Sequence, residues 1–91
     1  MNDYPSESDL QRIRDWPHDD LLAMIDFIAG IWHWEDYFKR GVDIVITHTG
    51  GWSGNEDIIS AMEDNKVFWC MCWQSSERGG KHVFDISSLR K

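Results

Sequence analysis

The sequence predicts an α+β domain in which two N-terminal helices precede a β-α-β-β unit whose three strands form a mixed sheet. Three observations carry that expectation. Up to about residue 40 the apolar residues recur at helical intervals. Residues 42–48 and 67–73 are then dense in β-branched and aromatic side chains, as strands require. Glycines cluster at 50–54 and 79–80, where turns between such elements belong. The 91 residues, 42% hydrophobic and 27% charged, suit one globular domain: 1–40 helical, 41–86 the βαββ part and 87–91 a polar tail. Six tryptophans give this short chain large apolar side chains, which offset its poor surface-to-volume ratio.

Ser6 followed by Asp9 sets up a capped first helix carrying Leu10, Ile13 and Trp16, ended by Pro17 because the residue before proline avoids helical angles. The second helix starts near Asp19 and Asp20, whose charges suit a helix N-terminus, and carries Leu21, Met24, Ile25, Ile28 and Trp32 at helical spacing. Glu35 with Lys39 and Asp36 with Arg40 are acid-to-base pairs four residues apart, and Gly41 fits just past a last turn. The helix is therefore expected to run on to Arg40, with a bend at Gly30. Val42 to His48 is the first strand, with Val42, Ile44, Ile46 and His48 on one face. A glycine-rich loop, 48–54, leads into a third helix over about 55–65, capped by Ser53 or Asn55. Val67 to Trp73 is apolar at every position and is expected to be a central strand buried on both faces, which makes Trp69 a core residue. Ser75 to Gly80 is a turn, and Lys81 to Ile86 alternates His82, Phe84 and Ile86 against Val83 and Asp85, completing a hairpin. A strand–helix–strand unit crosses over right-handed, so the first two strands are expected to be parallel neighbours.

Composition narrows the function classes. A formal net charge of −7 argues against nucleic acid, whose binding depends on lysine and arginine neutralising phosphates. Nine of the sixteen acids fall in residues 1–40, so an acidic face that meets a basic protein surface, with Asp19 and Asp20 at its head, is one candidate interaction face. Cys70 and Cys72, alternating in an apolar run, point to reduced core residues, and no disulfide is expected. The polar, acidic stretch from Met1 to Asp9 is unlike a leader, and no apolar run is long enough to cross a membrane, so a cytoplasmic protein is expected.

If the first two strands are parallel, their C-terminal ends share an edge and the two glycine turns become neighbours, a common place for ligands in open sheets. The candidate partner- or ligand-binding residues are Thr49, Gly50, Gly51, Trp52, Ser53 and Asn55 on one side and Arg78, Lys81 and His82 on the other. Loop amides with those cations suit a small anion or nucleotide. The loop lacks the lysine and hydroxyl residue of a phosphate-binding loop, and Glu56 and Asp57 follow it. Trp52, between glycines, is alternatively an anchor for a partner protein or a lid on the core. His48, Glu56, Asp57, Arg78, Lys81 and His82 could gather near the same edge, but catalysis would need a pocket where at least two of His48, Glu56, Arg78 and His82 converge. No nucleophile-elbow, paired-carboxylate or metalloprotease motif accompanies them, so no catalytic residue is assigned. Neither a metal nor a cofactor is expected, since the Cys-x-Cys spacing lies inside an apolar run rather than in ligand-bearing turns.

The segments Thr49-Gly-Gly-Trp-Ser-Gly-Asn-Glu56 and Ser75-Ser-Glu-Arg-Gly-Gly80, with Ile58, Ile59, Phe68 and Trp69, resemble small proteins encoded by phages and prophages. The resemblance spans roughly residues 45–86. No function carries over from those uncharacterised proteins, but small acidic phage proteins often occupy surfaces of host proteins, so an interaction role is favoured over catalysis. The expectation is a non-enzymatic accessory or inhibitory protein that binds a host protein in the host cytoplasm. Small-anion or nucleotide binding at the two-turn edge stands beside it as the alternative.

Overall fold

The structure is a computed structural model that describes residues 4–90; Met1 to Asp3 of the polar N-terminal stretch and Lys91 of the expected tail lie outside the described residues. The fold class is α+β, and its core cluster draws on side chains from Leu10 to Ile86.

Helix α1 (Glu7–Arg14) starts as its sequence dictates. The Ser6 hydroxyl accepts the Asp9 N–H and the Asp9 carboxylate accepts the Ser6 N–H, a reciprocal capping box. Its Leu10 and Ile13 face the core, and Arg12 lies 5.0 Å from the Trp16 ring and 4.7 Å from Phe27, a cation–π clamp at the end of the helix.

Helix α2 (Leu21–Ile31) buries Leu21, Met24, Ile25 and Ile28, as expected, but stops nine residues short of Arg40. The cause is tertiary. Trp32 turns extended and donates its indole N–H to the His48 carbonyl. The buried Asn55 side chain then takes both backbone groups of His33, accepting its N–H and donating to its carbonyl. With those groups engaged the helical ladder cannot continue, and Trp34 follows at φ 65°, in the left-handed region. A 3-10 turn (Glu35–Tyr37) leads into strand β1 (Phe38–Arg40). The Glu35/Lys39 and Asp36/Arg40 spacings therefore fall outside any α-helix, and Arg40 pairs with Asp26 on α2 instead. Gly41 does not cap a helix but sits in the turn to the next strand, with its N–H on the Ile44 carbonyl.

Strand β2 (Ile44–His48) begins two residues later than expected, leaving Val42 71% exposed in the turn. Helix α3 (Ser53–Asp64) has Trp52 at its N-cap with no side-chain cap; neither Ser53 nor Asn55 caps it, because both lie inside the helix. The largest correction is Val67–Trp73, expected as the central strand. Residues Lys66–Cys72 are helix α4, launched by Asn65, whose side-chain oxygen accepts the Phe68 N–H while its amide donates to the Ile13 carbonyl. Continuous apolarity is compatible with either element. Here Phe68 and Cys72, four apart, are buried, while Cys70 and Met71 on the other side are exposed. Trp69 is consequently half-buried, in T-shaped contact with Phe84, and not enclosed on both faces.

Strands β3 (Trp73–Glu77) and β4 (Lys81–Asp85) form a hairpin, with a register irregularity between Trp73 and Ser75. The partner of β4 is therefore not the expected Val67–Trp73: Ser75 to Glu77, expected in the turn, are strand, and the turn itself is confined to residues 78–80. The sheet has four strands in the order β1-β2-β4-β3, every pair antiparallel, in place of the expected three-stranded mixed sheet. β2 and β3 do run in the same direction, as a crossover demands, but β4 returns between them and takes both sets of hydrogen bonds. Val45 and Phe84, directly opposed, are fully buried under the helices, whereas Ile44, Ile46, His48, Lys81 and Val83 face the other side, which is only partly covered. The expected frayed tail instead closes into a 3-10 turn (Ser87–Arg90) that packs Leu89 against the core. No helix among the described residues is long and apolar enough to cross a membrane.

Candidate functional site

The glycine-rich loop and the β3–β4 turn do meet. The route is the antiparallel β2–β4 ladder, in which His48 opposes Lys81, and it continues one step further as the Thr49 N–H donates to the Gly80 carbonyl. Gly80 must be glycine twice over: its φ is 87°, and a Cβ there would run into the Thr49 hydroxyl.

Around this junction the chain assembles six rings from five separate places. His33 stacks on Trp52 with centroids 4.3 Å apart and lies 4.4 Å from Trp34; Tyr4 lies 4.7 Å from Trp52; Tyr37 lies 5.4 Å from Trp34 and 6.1 Å from His48. Trp34, Tyr37 and Tyr4 are 45%, 40% and 49% exposed, so the cluster is a surface and not an extension of the core. It rests on Gly50, whose φ is 64° and whose missing Cβ leaves room for the rings: a methyl there would fall 2.6 Å from Trp34 and 2.7 Å from Tyr37. Asn55 holds the support from beneath, tying His33 to the Thr49 carbonyl through one buried amide.

The sequence candidates divide accordingly. Trp52 belongs to the ring cluster, and Gly50 and Ser53 adjoin it, Ser53 through a 2.9 Å hydrogen bond to the Tyr4 hydroxyl; Thr49 is buried behind it, its carbonyl accepting from the Trp52 N–H and the Asn55 amide. Trp52 is half-buried and lies over the first turn of α3, against Gly54. Gly51, at φ 74°, has nothing within 4 Å of its open side. Asn55 is fully buried and supports the loop without reaching its surface. Lys81 lies on the open sheet face, 3.5 Å from Glu77, while Arg78 is exposed in the turn. His82 is not at the junction. It shares the helix-facing side with Thr47 and Phe84, where its Nδ1 lies 2.7 Å from the Ser76 hydroxyl, itself bonded to the Trp73 indole N–H. Burial pushes the His82 pKa down, and the nearby Glu63 and Glu56 carboxylates partly oppose that shift. Asp19 and Asp20 stand at the opposite end of α2, beside an open depression of about 270 Å³ shared with Leu22, Met71 and Leu89.

The anion cradle expected of the loop is occupied by the protein itself. Its Thr49, Gly51 and Trp52 amides donate to the Gly80 carbonyl, the Thr49 hydroxyl and the Thr49 carbonyl respectively, and the indole of Trp52 covers the start of α3. Beside it, however, lies an open depression of about 420 Å³ lined by Asp36, Tyr37, Lys39, His48, Gly50 and Gly79. Among the described residues no group of three or more His, Cys, Asp or Glu side chains is placed to hold a metal ion; Cys72 is buried and Cys70 exposed.

Trp34, Tyr37, Lys39 and His33 escaped the sequence reading because a helix through Arg40 would have scattered them around its surface. The signal that was present is the loss of helical apolar spacing after Ile31 in the run Trp-His-Trp-Glu-Asp-Tyr-Phe. Comparison of the chain with protein-family models, with curated proteins and with solved structures gives no match.

Proposed function

We propose that the protein acts without catalysis by docking on another protein through the aromatic surface formed by Trp34, Tyr37, Trp52 and Tyr4. The observation that carries this reading is Trp34: a large ring left nearly half exposed, in a left-handed backbone conformation, and supported from below by Gly50 and the Asn55 clamp. Left-handed conformations are costly for such a residue and persist where the surroundings over-determine them, commonly at functional sites. Rings already immobilised lose little entropy on binding, and tryptophan and tyrosine dominate interface hot spots. The exposed rings are contiguous, unlike the scattered single apolar residues of an ordinary surface.

Asp36 beside the rings and the net charge of −7 favour a partner with a basic surface, whose arginine or lysine side chains can lie over the ring faces. The resemblance to phage-encoded proteins points to a host protein as that partner. Catalysis is left out because His82 faces the helices while Lys81 faces the open sheet and pairs with Glu77. A second reading, binding of a small anion or nucleotide at the same edge, draws on the depression that Gly50 and Gly79 share.

The test is capture of a binding protein with tagged chain, repeated with the Trp34→Ala/Tyr37→Ala double variant and with Asp19→Lys/Asp20→Lys. Loss of capture in the first, with melting temperature little changed, is the expected result. Undiminished capture by the folded ring variant, with loss in the Asp19/Asp20 variant, would move the contact to the far end of α2.

A further inference from the structure

We infer that the depression between Tyr37, His48 and the two glycine turns is a binding site for a phosphate group, with Lys39 and Arg78 as its charge partners. The inference rests on the anion reading and not on docking by the ring surface, with which the depression shares Tyr37 and Gly50.

Among the described residues Arg14, Arg40 and Lys81 each form an ion pair, and Arg12 is engaged over Trp16 and Phe27. Lys39 and Arg78 form none, and neither does Lys66 at the start of α4, although the chain carries sixteen acids against nine bases. Lys39 lines the concavity directly, and Arg78 immediately precedes Gly79, which lines it from the hairpin turn. His48 adds an imidazole on the same open sheet face as Lys39, since Lys39 opposes Ile46 and Ile46 and His48 are alternate residues of β2. The N–H groups of Gly50 and Gly79 make no hydrogen bond among the described residues, in contrast to the spent amides of Thr49, Gly51 and Trp52. Left-handed glycines at Gly50 and Gly79 let the backbone approach a ligand closely. The volume, about 420 Å³, is that of a small-ligand site, and Tyr37 supplies an aromatic wall. Asp36 on the rim opposes an anion, so one tetrahedral group held between two cations fits better than a polyphosphate chain.

The site is tested by titrating the ¹⁵N-labelled protein at constant ionic strength with inorganic phosphate, ribose 5-phosphate, adenosine monophosphate and a phosphoserine peptide, with chloride as reference. The expected result is saturable movement of the Gly50 and Gly79 amide signals with the phosphate compounds and none with chloride. Lys39→Gln and Arg78→Gln should each weaken binding roughly tenfold, equivalent to about 1.4 kcal/mol, without lowering the melting temperature. Tighter binding of adenosine monophosphate than of ribose phosphate would support the site and assign a nucleotide stacked on Tyr37; tighter binding of the peptide would support it and assign a phosphorylated protein. Saturable shifts confined to Ser53, Gly54 and Asn55 would overturn this site while keeping the anion reading. Shifts that never saturate, or that match chloride, would overturn both.

Discussion

Asn55→Ala removes the side chain that connects the fold to its aromatic surface, and its cost can be worked from three hydrogen bonds. Asn55 is fully buried; it accepts the His33 N–H at 3.0 Å and donates to the His33 carbonyl at 3.1 Å and to the Thr49 carbonyl at 3.3 Å. Each such bond contributes a net ~0.5–1.5 kcal/mol, and a buried polar group left unpaired costs ~1–3 kcal/mol. Water can reach the half-exposed His33 groups and recover part of that, so a total loss of about 2–4 kcal/mol is expected. For a domain of this size that lowers the melting temperature by roughly 10–20 °C. Urea denaturation followed by circular dichroism gives the stability, and the Trp34 and His33 signals in NMR report whether the ring surface loosens. Asn55→Asp keeps the shape but replaces the amide NH2, the donor to both carbonyls, by a carboxylate oxygen facing them, so at neutral pH it should cost at least as much. A loss below about 1 kcal/mol in both variants, the scale of a surface change, would mean that Asn55 does not terminate α2 and that the support for the ring surface lies elsewhere.

Phe68→Ala should destabilise by about 3–5 kcal/mol, since Phe68 is fully enclosed, whereas Trp69→Ala should cost about 1–3 kcal/mol because its ring is only partly covered; equal losses in chemical denaturation would restore a two-sided strand. Native protein should expose one thiol to a thiol-specific reagent, Cys70, with Cys72 labelled only on unfolding. Burial, with a smaller contribution from Asp85, pushes the Cys72 pKa up to about 11, above its unfolded value of about 9. The stability this represents is fully present below pH ~9 and is lost as pH rises from there towards 11, and Cys72→Ala should flatten that alkaline decline. The His82 pKa is lowered by burial, so the neutral ring stabilises the fold above the ordinary histidine pKa of about 6.5 and that stability falls as pH drops below it. His82→Gln should reduce the acid sensitivity of the melting temperature; an unchanged profile would place the imidazole in solvent.

Local chemistry alone determined several parts of this protein. The α+β class, the capped start of α1 at Ser6, the apolar stripe of α2, strand β4 and the glycine turns all follow from interactions within a few residues, which leave periodicity and turn residues as their trace. What the tertiary structure decided is where two ambiguous segments went. Residues 32–40 have helical charge spacing, yet Asn55, twenty-two positions after His33, captures the backbone groups that would have extended α2. Residues 66–72 are apolar enough for a buried strand, yet the Asn65 side chain, anchored on the carbonyl of Ile13, starts a helix there, and β4 takes the central place in the sheet. Both outcomes rest on buried asparagines bonded to distant backbone, and a pattern read along the chain carries no information on such pairings. The ring surface depends on the first of them, which is why Trp52 was visible as a candidate while Trp34 and Tyr37, placed beside it only by the end of α2, were not.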